Sequence, residues 1–108
     1  MFEMISFPYN NRPVARLDCD NIVHNHIYHN CPVGRVCANL VYDNKDNVIG
    51  KVDESGYIYS YKSESIGRVD INGFVHKDDM LIGKIKCFQP ISPNLAGAAY
   101  LLLIHNKR

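Results

Sequence analysis

A short phrase returns five times along this chain, and it constrains the fold more than any other feature of the sequence. In each copy an aliphatic residue, a glycine or alanine, a basic residue and a second aliphatic residue follow one another. The copies begin at Val14, Val33, Ile49, Ile66 and Ile82, so they are 19, 16, 17 and 16 residues apart. Such recurrence is typical of repeat architectures, in which each copy contributes one supersecondary unit.

The third copy shows what each unit is expected to form. Residues 49–52 alternate apolar with small or polar side chains, residues 53–56 read Asp-Glu-Ser-Gly, and residues 57–59 resume a β-prone run. An Asp that opens a short turn bonds the backbone ahead of it, and a Gly at its end accepts the positive φ that hairpin loops require. We therefore predict a β-hairpin here, with equivalent turns at residues 18–21, 37–39 and 70–73.

Both ends of the repeat series point to a closed ring. A strand is predicted at residues 4–7, ahead of the first copy, so the chain begins in mid-repeat. The last outgoing strand, around residues 81–87, lacks a returning partner because Pro90 and Pro93 follow it. Pairing these two strands removes exposed sheet edges. We predict one all-β domain over residues 1–108, a closed ring of about five β-hairpin repeats with approximate five-fold symmetry.

The repeated phrases resemble those of the five-fold β-flower proteins, a small bacterial family. Ile-Gly-Arg-Val-Asp at residues 66–70 and Gly-Tyr-Ile-Tyr at residues 56–59 read like the units of that family. Residues 97–103, Gly-Ala-Ala-Tyr-Leu-Leu-Leu, are similar to its apolar ending. The resemblance covers residues 5–104 and departs at Ala15 and at a longer first connector. It implies a fold, and neither an activity nor a site.

Composition limits the classes of function. The net charge is +1, which gives no general electrostatic attraction for nucleic acid, so no nucleic-acid partner is expected. Four cysteines, at positions 19, 31, 37 and 87, form no CxxC pair, and residues 1–13 lack the features of a signal peptide. We therefore expect a cytoplasmic protein with reduced thiols. The longest apolar stretch, residues 95–104, is too short for a transmembrane helix, which needs about 20 residues.

The basic residues of the repeated phrase are the first candidate site. Five-fold symmetry would arrange them in a charged ring able to bind a phosphate-rich or carboxylate ligand. The ring consists of Arg16, Arg35, Lys51, Arg68 and Lys84. The alternative is that the bases are paired with the Asp two residues further on, as Asp18, Asp53 and Asp70 allow.

Ring-bearing side chains recur at the ends of the returning strands. They are Phe7, His24, Tyr42, Tyr59 and His76. Flat rings at equivalent positions are able to stack on sugars or bases. We expect them instead to pack across strands as sheet-stabilising neighbours.

The first connector is rich in histidine and cysteine, and it is longer than the others. His24, His26, His29 and Cys31 are residue types that zinc favours, so this segment is the candidate metal site. Their spacing matches no known CxxC or HExxH motif. A metal-dependent or cysteine-dependent enzyme centred here is the alternative function, although no catalytic residue is assigned and no cofactor is otherwise expected.

The C-terminal segment, residues 95–104, is predicted to be either a short helix or an extra strand, and its apolar character requires burial. It is expected to plug one mouth of the ring or else to contact a second copy or a protein partner. The leading hypothesis is a non-catalytic binding or scaffold module. Such a module would present its connectors or one mouth of the ring to a ligand or protein.

Overall fold

Ten antiparallel strands and a C-terminal helix form the part of the chain that the computed structural model describes, namely residues 2–6, 12–87 and 92–105. The strands are β1 (Phe2–Ser6), β2 (Pro13–Leu17), β3 (Ile22–His24), β4 (Pro32–Cys37), β5 (Leu40–Asp43), β6 (Val48–Val52), β7 (Tyr57–Ser60), β8 (Ser65–Val69), β9 (Phe74–Lys77) and β10 (Met80–Cys87). The helix begins as α1 (Asn94–Ala99) and continues as a π-helical segment, Tyr100–His105. We call residues 94–105 the plug helix.

The strands close into a barrel in which sequence neighbours pair with one another. β1 pairs with β2 on one side and with β10 on the other, so that Phe2 lies opposite Cys87 and Ser6 opposite Gly83. This confirms that the N-terminal strand closes the ring. Closure satisfies the backbone hydrogen bonds that an open sheet edge would expose.

The pairing register shifts by one residue or more at equivalent positions around the barrel. Such a shift is present in each of the five pairs formed by an odd-numbered strand and the even-numbered strand that follows. The shifts fall between Met4 and Ile5, Val23 and His24, Val41 and Tyr42, Ile58 and Tyr59, and Leu81 and Gly83. A bulge bends its strand and increases the local twist, so these irregularities supply the curvature that a closed barrel needs.

Turns with an Asp at the first position connect the strands at both ends of the barrel. In the turn after β2, Asp18 Oδ1 accepts the N–H of Asp20 at 2.9 Å and that of Ile22 at 3.0 Å. Asn21 has φ 65°, and Gly56 has φ 90° at the same place in the third turn. The same two bonds recur at Asp43, Asp53 and Asp70. We call the end with turns 18–21, 38–39, 53–56 and 70–73 the turn end, and the opposite end the connector end.

Each turn at the turn end is bonded to the hairpin that follows it. The carbonyl oxygens involved belong to Asn21, Asn39, Gly56 and Gly73. In that order, they accept the N–H of Val36 at 2.9 Å, of Val52 at 3.0 Å, of Val69 at 2.7 Å and of Ile85 at 2.7 Å. These bonds lock neighbouring hairpins together where the strand pairing ends.

The plug helix fills the interior of the barrel. It starts at the turn end, where Asn94 Nδ2 donates to Glu54 O at 3.3 Å, and Tyr100 OH donates to Ile82 O at 2.9 Å deep in the core. The α1 part contacts β1, β4, β5, β6, β8 and β10, which surround it. The C-terminal segment is thus helical, and it fills the barrel as a plug.

Small residues of the repeated phrase make room for this helix. The four glycines face four consecutive plug residues. A Cβ added to Gly83 would lie 2.6 Å from the Tyr100 ring, and one on Gly67 would lie 2.8 Å from Leu101. At Gly50 and Gly34 the corresponding distances to Leu102 and Leu103 are 2.5 and 2.7 Å. Glycine is therefore needed here for close approach of the plug.

Burial of the plug bears on the expected partner surface. Residues 96–104 are all buried, most of them completely. These side chains are covered by the barrel of the same chain, which accounts for their burial without a second copy or a protein partner.

Candidate functional site

The turn aspartates contact strand-end side chains rather than the bases. Asp18 Oδ2 lies 2.7 Å from His24 Nε2, and Asp70 Oδ2 lies 3.3 Å from His76 Nε2. In the third hairpin Tyr59 OH donates to Asp53 Oδ2 at 3.2 Å. The predicted pairing of each base with the Asp two residues further on is therefore wrong. The carboxylate instead reaches the side chain six residues ahead.

These contacts shift the protonation equilibria of the groups involved. Burial alone would raise the pKa of Asp18, but bonds from Ile22 N–H, His24 and Asp20 N–H outweigh it and lower that pKa. The pKa of Asp70 is lowered by the same balance. The hydrogen bond to Asp53 raises the pKa of Tyr59. Asp18 and Asp70 are thus held in their ionised form.

The five bases are directed outward and do not converge. Four of them follow a glycine that faces the plug helix, and Arg16 follows the buried Ala15, so alternation along the strand directs each base away from the barrel axis. The strands that carry them, β2, β4, β6, β8 and β10, are spread around the whole barrel. Several bases consequently cannot reach one anion. The geometry therefore does not favour the shared anion site.

Three of the bases contact rings on neighbouring strands. The Arg35 guanidinium lies 4.0 Å from the centre of the Tyr42 ring and donates to Asp46 Oδ1 at 3.0 Å. Lys51 Nζ lies 5.8 Å from the Tyr59 ring. Lys84 Nζ lies 5.2 Å from the Phe74 ring. Such cation–π contacts at exposed sites stabilise the outer face of the sheet by about 0.5–1 kcal/mol each. Phe7 of the predicted ring series lies outside the described residues.

Arg16 differs from the other bases because it organises the first connector. It is 9% exposed. Its Nη1 donates to His26 O at 2.6 Å and to His29 O at 2.9 Å, and its Nη2 donates to Asn30 Oδ1 at 3.3 Å. The connector is therefore wrapped around a buried guanidinium. Sequence reasoning missed this role because Arg16 and the connector are brought together only by the pairing of β2 with β3.

Two of the candidate histidines, His24 and His26, accept backbone N–H groups of the connector through their ring nitrogens. Cys31 N–H donates to His24 Nδ1 at 3.2 Å, so His24 Nε2 carries the proton donated to Asp18. His26 Nδ1 accepts the N–H groups of Tyr28 and His29, both at 3.0 Å. The His26 and His29 rings are 4.5 Å apart.

The candidate zinc ligands are thus only partly brought together. Over residues 2–6, 12–87 and 92–105, no three His, Cys, Asp or Glu side chains are arranged to hold a metal ion. His24 has both ring nitrogens engaged, which removes it as a ligand in this conformation. Cys19, Cys31 and Cys37 are free and exposed. Cys19 and Cys37 lie at the turn end, whereas Cys31 is in the connector.

A cavity opens at the connector end, where the plug helix finishes. Its volume is about 420 Å³. Val33, Leu103 and Ile104 line its apolar part. Asn25, Asp43, Asn44 and Lys45 supply the polar lining. An apolar surface with a few polar groups is the usual composition of a small-ligand site.

The cavity adjoins the first connector, the place where the repeat is broken. Asn25 belongs to that connector, and Asn25 N–H donates to Cys31 O at 2.9 Å to close the loop. Large side chains are exposed on the same end of the barrel: Tyr28 is 85%, Tyr61 69% and Met80 67% exposed. The sequence signal for this end was the extra length of the connector. Nothing in the sequence indicated which barrel mouth the plug helix reaches.

Hollows elsewhere on the barrel fit a site less well. One of them, of about 610 Å³, lies at the turn end beside the start of the plug helix. Its lining includes Asn39, Glu54 and Leu95. It lies against the regular turns at residues 38–39 and 53–56, whereas the connector-end cavity adjoins the irregular first connector. We therefore take the connector-end cavity as the candidate site.

Among the described residues no helix is both long and apolar enough to cross a membrane. Searches against protein-family models, curated proteins and solved structures found no match to this chain.

Proposed function

We propose that this protein is a non-catalytic binding module whose binding face is the connector end of the barrel. The observation that carries the proposal is the cavity of about 420 Å³ at that end, whose apolar lining comes partly from the plug helix. The plug occupies the barrel interior, so a ligand has to bind at the surface. The cavity is of a size that holds a small molecule or one large side chain.

The ligand class follows from the lining of this cavity. Val33, Leu103 and Ile104 offer an apolar surface to a hydrocarbon or aromatic group. Lys45 offers its ammonium group at the polar part of the same cavity. The neighbouring Asp43 carboxylate and Asn44 amide already bond to Lys45 N–H and to Pro32 O, and they hold this polar rim in place. We expect an amphipathic ligand whose apolar body is buried and whose polar group stays near the rim.

An approximate five-fold symmetry of hairpin repeats is part of the same proposal. Buried residues of the odd-numbered strands fall at equivalent repeat positions: Met4, Val23, Val41, Ile58 and Val75, all 0% exposed. A second such set lies on the even-numbered strands: Leu17, Val36, Val52, Val69 and Ile85, all at most 4% exposed. Five recurring bulges support the same arrangement. The repeat thus accounts for the core, which leaves the irregular connector end for ligand binding.

Membership of the β-flower family remains our prediction from the repeated phrases, as do a bacterial, cytoplasmic location and the absence of a nucleic-acid partner. The geometry disfavours a metal-dependent enzyme at the connector, because His24 and His26 serve as acceptors for connector N–H groups. A cysteine-dependent enzyme stays a prediction from the sequence. Elemental analysis of the purified protein tests the metal-dependent alternative directly. Stoichiometric zinc would restore it.

The binding proposal is tested with a fragment library in ligand-observed NMR, by comparing two matched tryptophan variants. Lys45 lines the cavity, and Asn72 lies at the turn end. Both are exposed, and both donate a backbone N–H to the Asp two residues before, at 2.8 and 2.9 Å. Lys45→Trp should block the cavity, whereas Asn72→Trp should leave it open.

We expect amphipathic aromatic fragments to bind the unmodified protein and Asn72→Trp equally, and to lose at least about tenfold in affinity for Lys45→Trp. Equal binding to both variants would place the fragments elsewhere and refute the assignment of the site. Absence of any binding fragment would also count against it.

A further inference from the structure

The barrel is complete as a sheet without its plug helix. All ten strands are paired around the ring, with β1 joining β10 to β2. The plug contributes no strand to this sheet. The plug helix therefore lies in the barrel as a bound helix lies in a closed receptor. The short stretch of chain after Cys87 joins it to β10.

Each plug residue from Tyr100 to Leu103 contacts a different strand of the barrel, and the contacts follow the order of the strands. Consecutive residues from Tyr100 to Leu103 face the glycines of β10, β8, β6 and β4 in turn. The α1 part has its own close contact, since a Cβ on Gly97 would collide with the Val69 side chain. A larger residue at position 97 would meet the packed Val69 side chain, and a shift of the plug by one residue would move its large side chains away from the glycines that make room for them.

The π-helical geometry fits this one-to-one pattern. To face successive even-numbered strands of five, each residue has to advance by about a fifth of a turn. An α-helix has about 3.6 residues per turn and advances by more. A π-helix, with its i→i+5 hydrogen bonds, has more residues per turn and so advances by less. The unusual helix from Tyr100 to His105 is therefore matched to the barrel that encloses it.

We propose that the barrel lumen is a sequence-selective binding site for an apolar helix, and that residues 92–105 are its tethered ligand. The site accepts an Ala- and Leu-rich helix that has glycine at position 97 and one large apolar side chain for each glycine of the barrel. By the same order Ile104 faces β2, where Ala15 replaces glycine. The tether raises the effective concentration of the helix, so the same peptide should also bind without it.

The test cuts the tether in the folded full-length protein. Residues 88–91 are replaced by a cleavage sequence for a site-specific protease, and native mass spectrometry records whether the released segment stays bound. The cut protein is then unfolded in urea and refolded with an excess of an isotope-labelled peptide of residues 92–105. The control peptide has the same composition but exchanges two residues, Gly97→Leu with Leu101→Gly.

We expect the cut segment to stay bound and the labelled peptide to be incorporated in proportion to its molar excess. Incorporation of the exchanged peptide should be at least about tenfold lower, because it places a leucine against Val69. Equal incorporation of the two peptides would overturn the proposal of sequence selectivity. Unfolding of the barrel upon cleavage, or a folded barrel that has lost its peptide, would overturn the proposal of a helix-binding site.

Discussion

A methyl group added at Gly50 is the sharpest probe of the fit between plug and barrel. A Cβ at this position would lie 2.5 Å from Leu102 Cδ1 and 2.5 Å from the carbonyl oxygen of Tyr59. Leu102 is 6% exposed and cannot swing into solvent. The carbonyl belongs to β7, which is paired to β6 on either side of the clash. Both neighbours must move to admit the methyl group.

The expected cost follows from these two contacts. Overpacking of a core usually costs about 1–3 kcal/mol, and here a backbone atom has to shift as well as a side chain, so we expect Gly50→Ala to lower the free energy of unfolding by about 2–3 kcal/mol. For a domain of this size the melting temperature should fall by roughly 10 °C. Urea unfolding followed by circular dichroism measures the loss.

A double-mutant cycle attributes the loss to the plug. Leu102→Val removes the δ carbon that meets the new methyl group, so the pair should show a favourable coupling of about 1 kcal/mol. Leu101→Val is the matched control, because Leu101 faces Gly67 instead. Its effect should add to that of Gly50→Ala within about 0.5 kcal/mol. Equal coupling in both pairs, or a loss below about 0.5 kcal/mol for Gly50→Ala, would refute the one-to-one contact.

Three further predictions concern the connector, the acid limb of stability and the barrel seam. Arg16→Ala should lower the free energy of unfolding by about 2–4 kcal/mol and speed amide exchange in residues 25–31, since it leaves carbonyls without their charged donor. Arg35→Ala should cost only about 0–1 kcal/mol, because its ion pair is exposed. The pKa of Asp70 is lower in the folded state than in the unfolded chain, so this carboxylate stabilises the fold at pH values above its ordinary pKa. The stabilisation is lost as the pH falls through the folded-state pKa. Asp70→Asn should therefore flatten the acid side of a plot of unfolding free energy against pH. Deletion of residues 1–7 should leave the β10 edge unpaired and cause aggregation by light scattering; a stable monomer would contradict closure by β1.

The local features of the fold were predictable because the repeat specifies them locally. Alternating phrases predicted the even-numbered strands, and Asp with Gly or Asn predicted turns such as that at Asn21. Closure also followed from the sequence, since the count of outgoing and returning strands left β10 in need of β1. The bulges were not predicted, because the sequence does not mark where two strands change register.

The candidate site was far less predictable, and the reason is geometric. The bases were expected to pair with the aspartates two residues ahead, but the turn bends each carboxylate toward the side chain of the returning strand. Residues 95–104 are apolar throughout, so periodicity alone could not distinguish a helix from a strand. The cavity arises only where the end of that helix meets the first two connectors, both of which are distant from the helix in sequence.

The seam between β1 and β10 imposes an order on folding. Phe2 pairs with Cys87, so the last hydrogen bonds of the ring wait until β10 has left the ribosome. Until then the growing sheet has open edges and an uncovered apolar face, and contacts of such sequence separation form slowly. The plug helix follows β10 in the chain, so it has to be enclosed as the seam closes or be admitted by a later opening. Assembly of this barrel is therefore a competition between seam closure and enclosure of the helix, and rapid synthesis of the residues that follow β10 should favour the correct outcome.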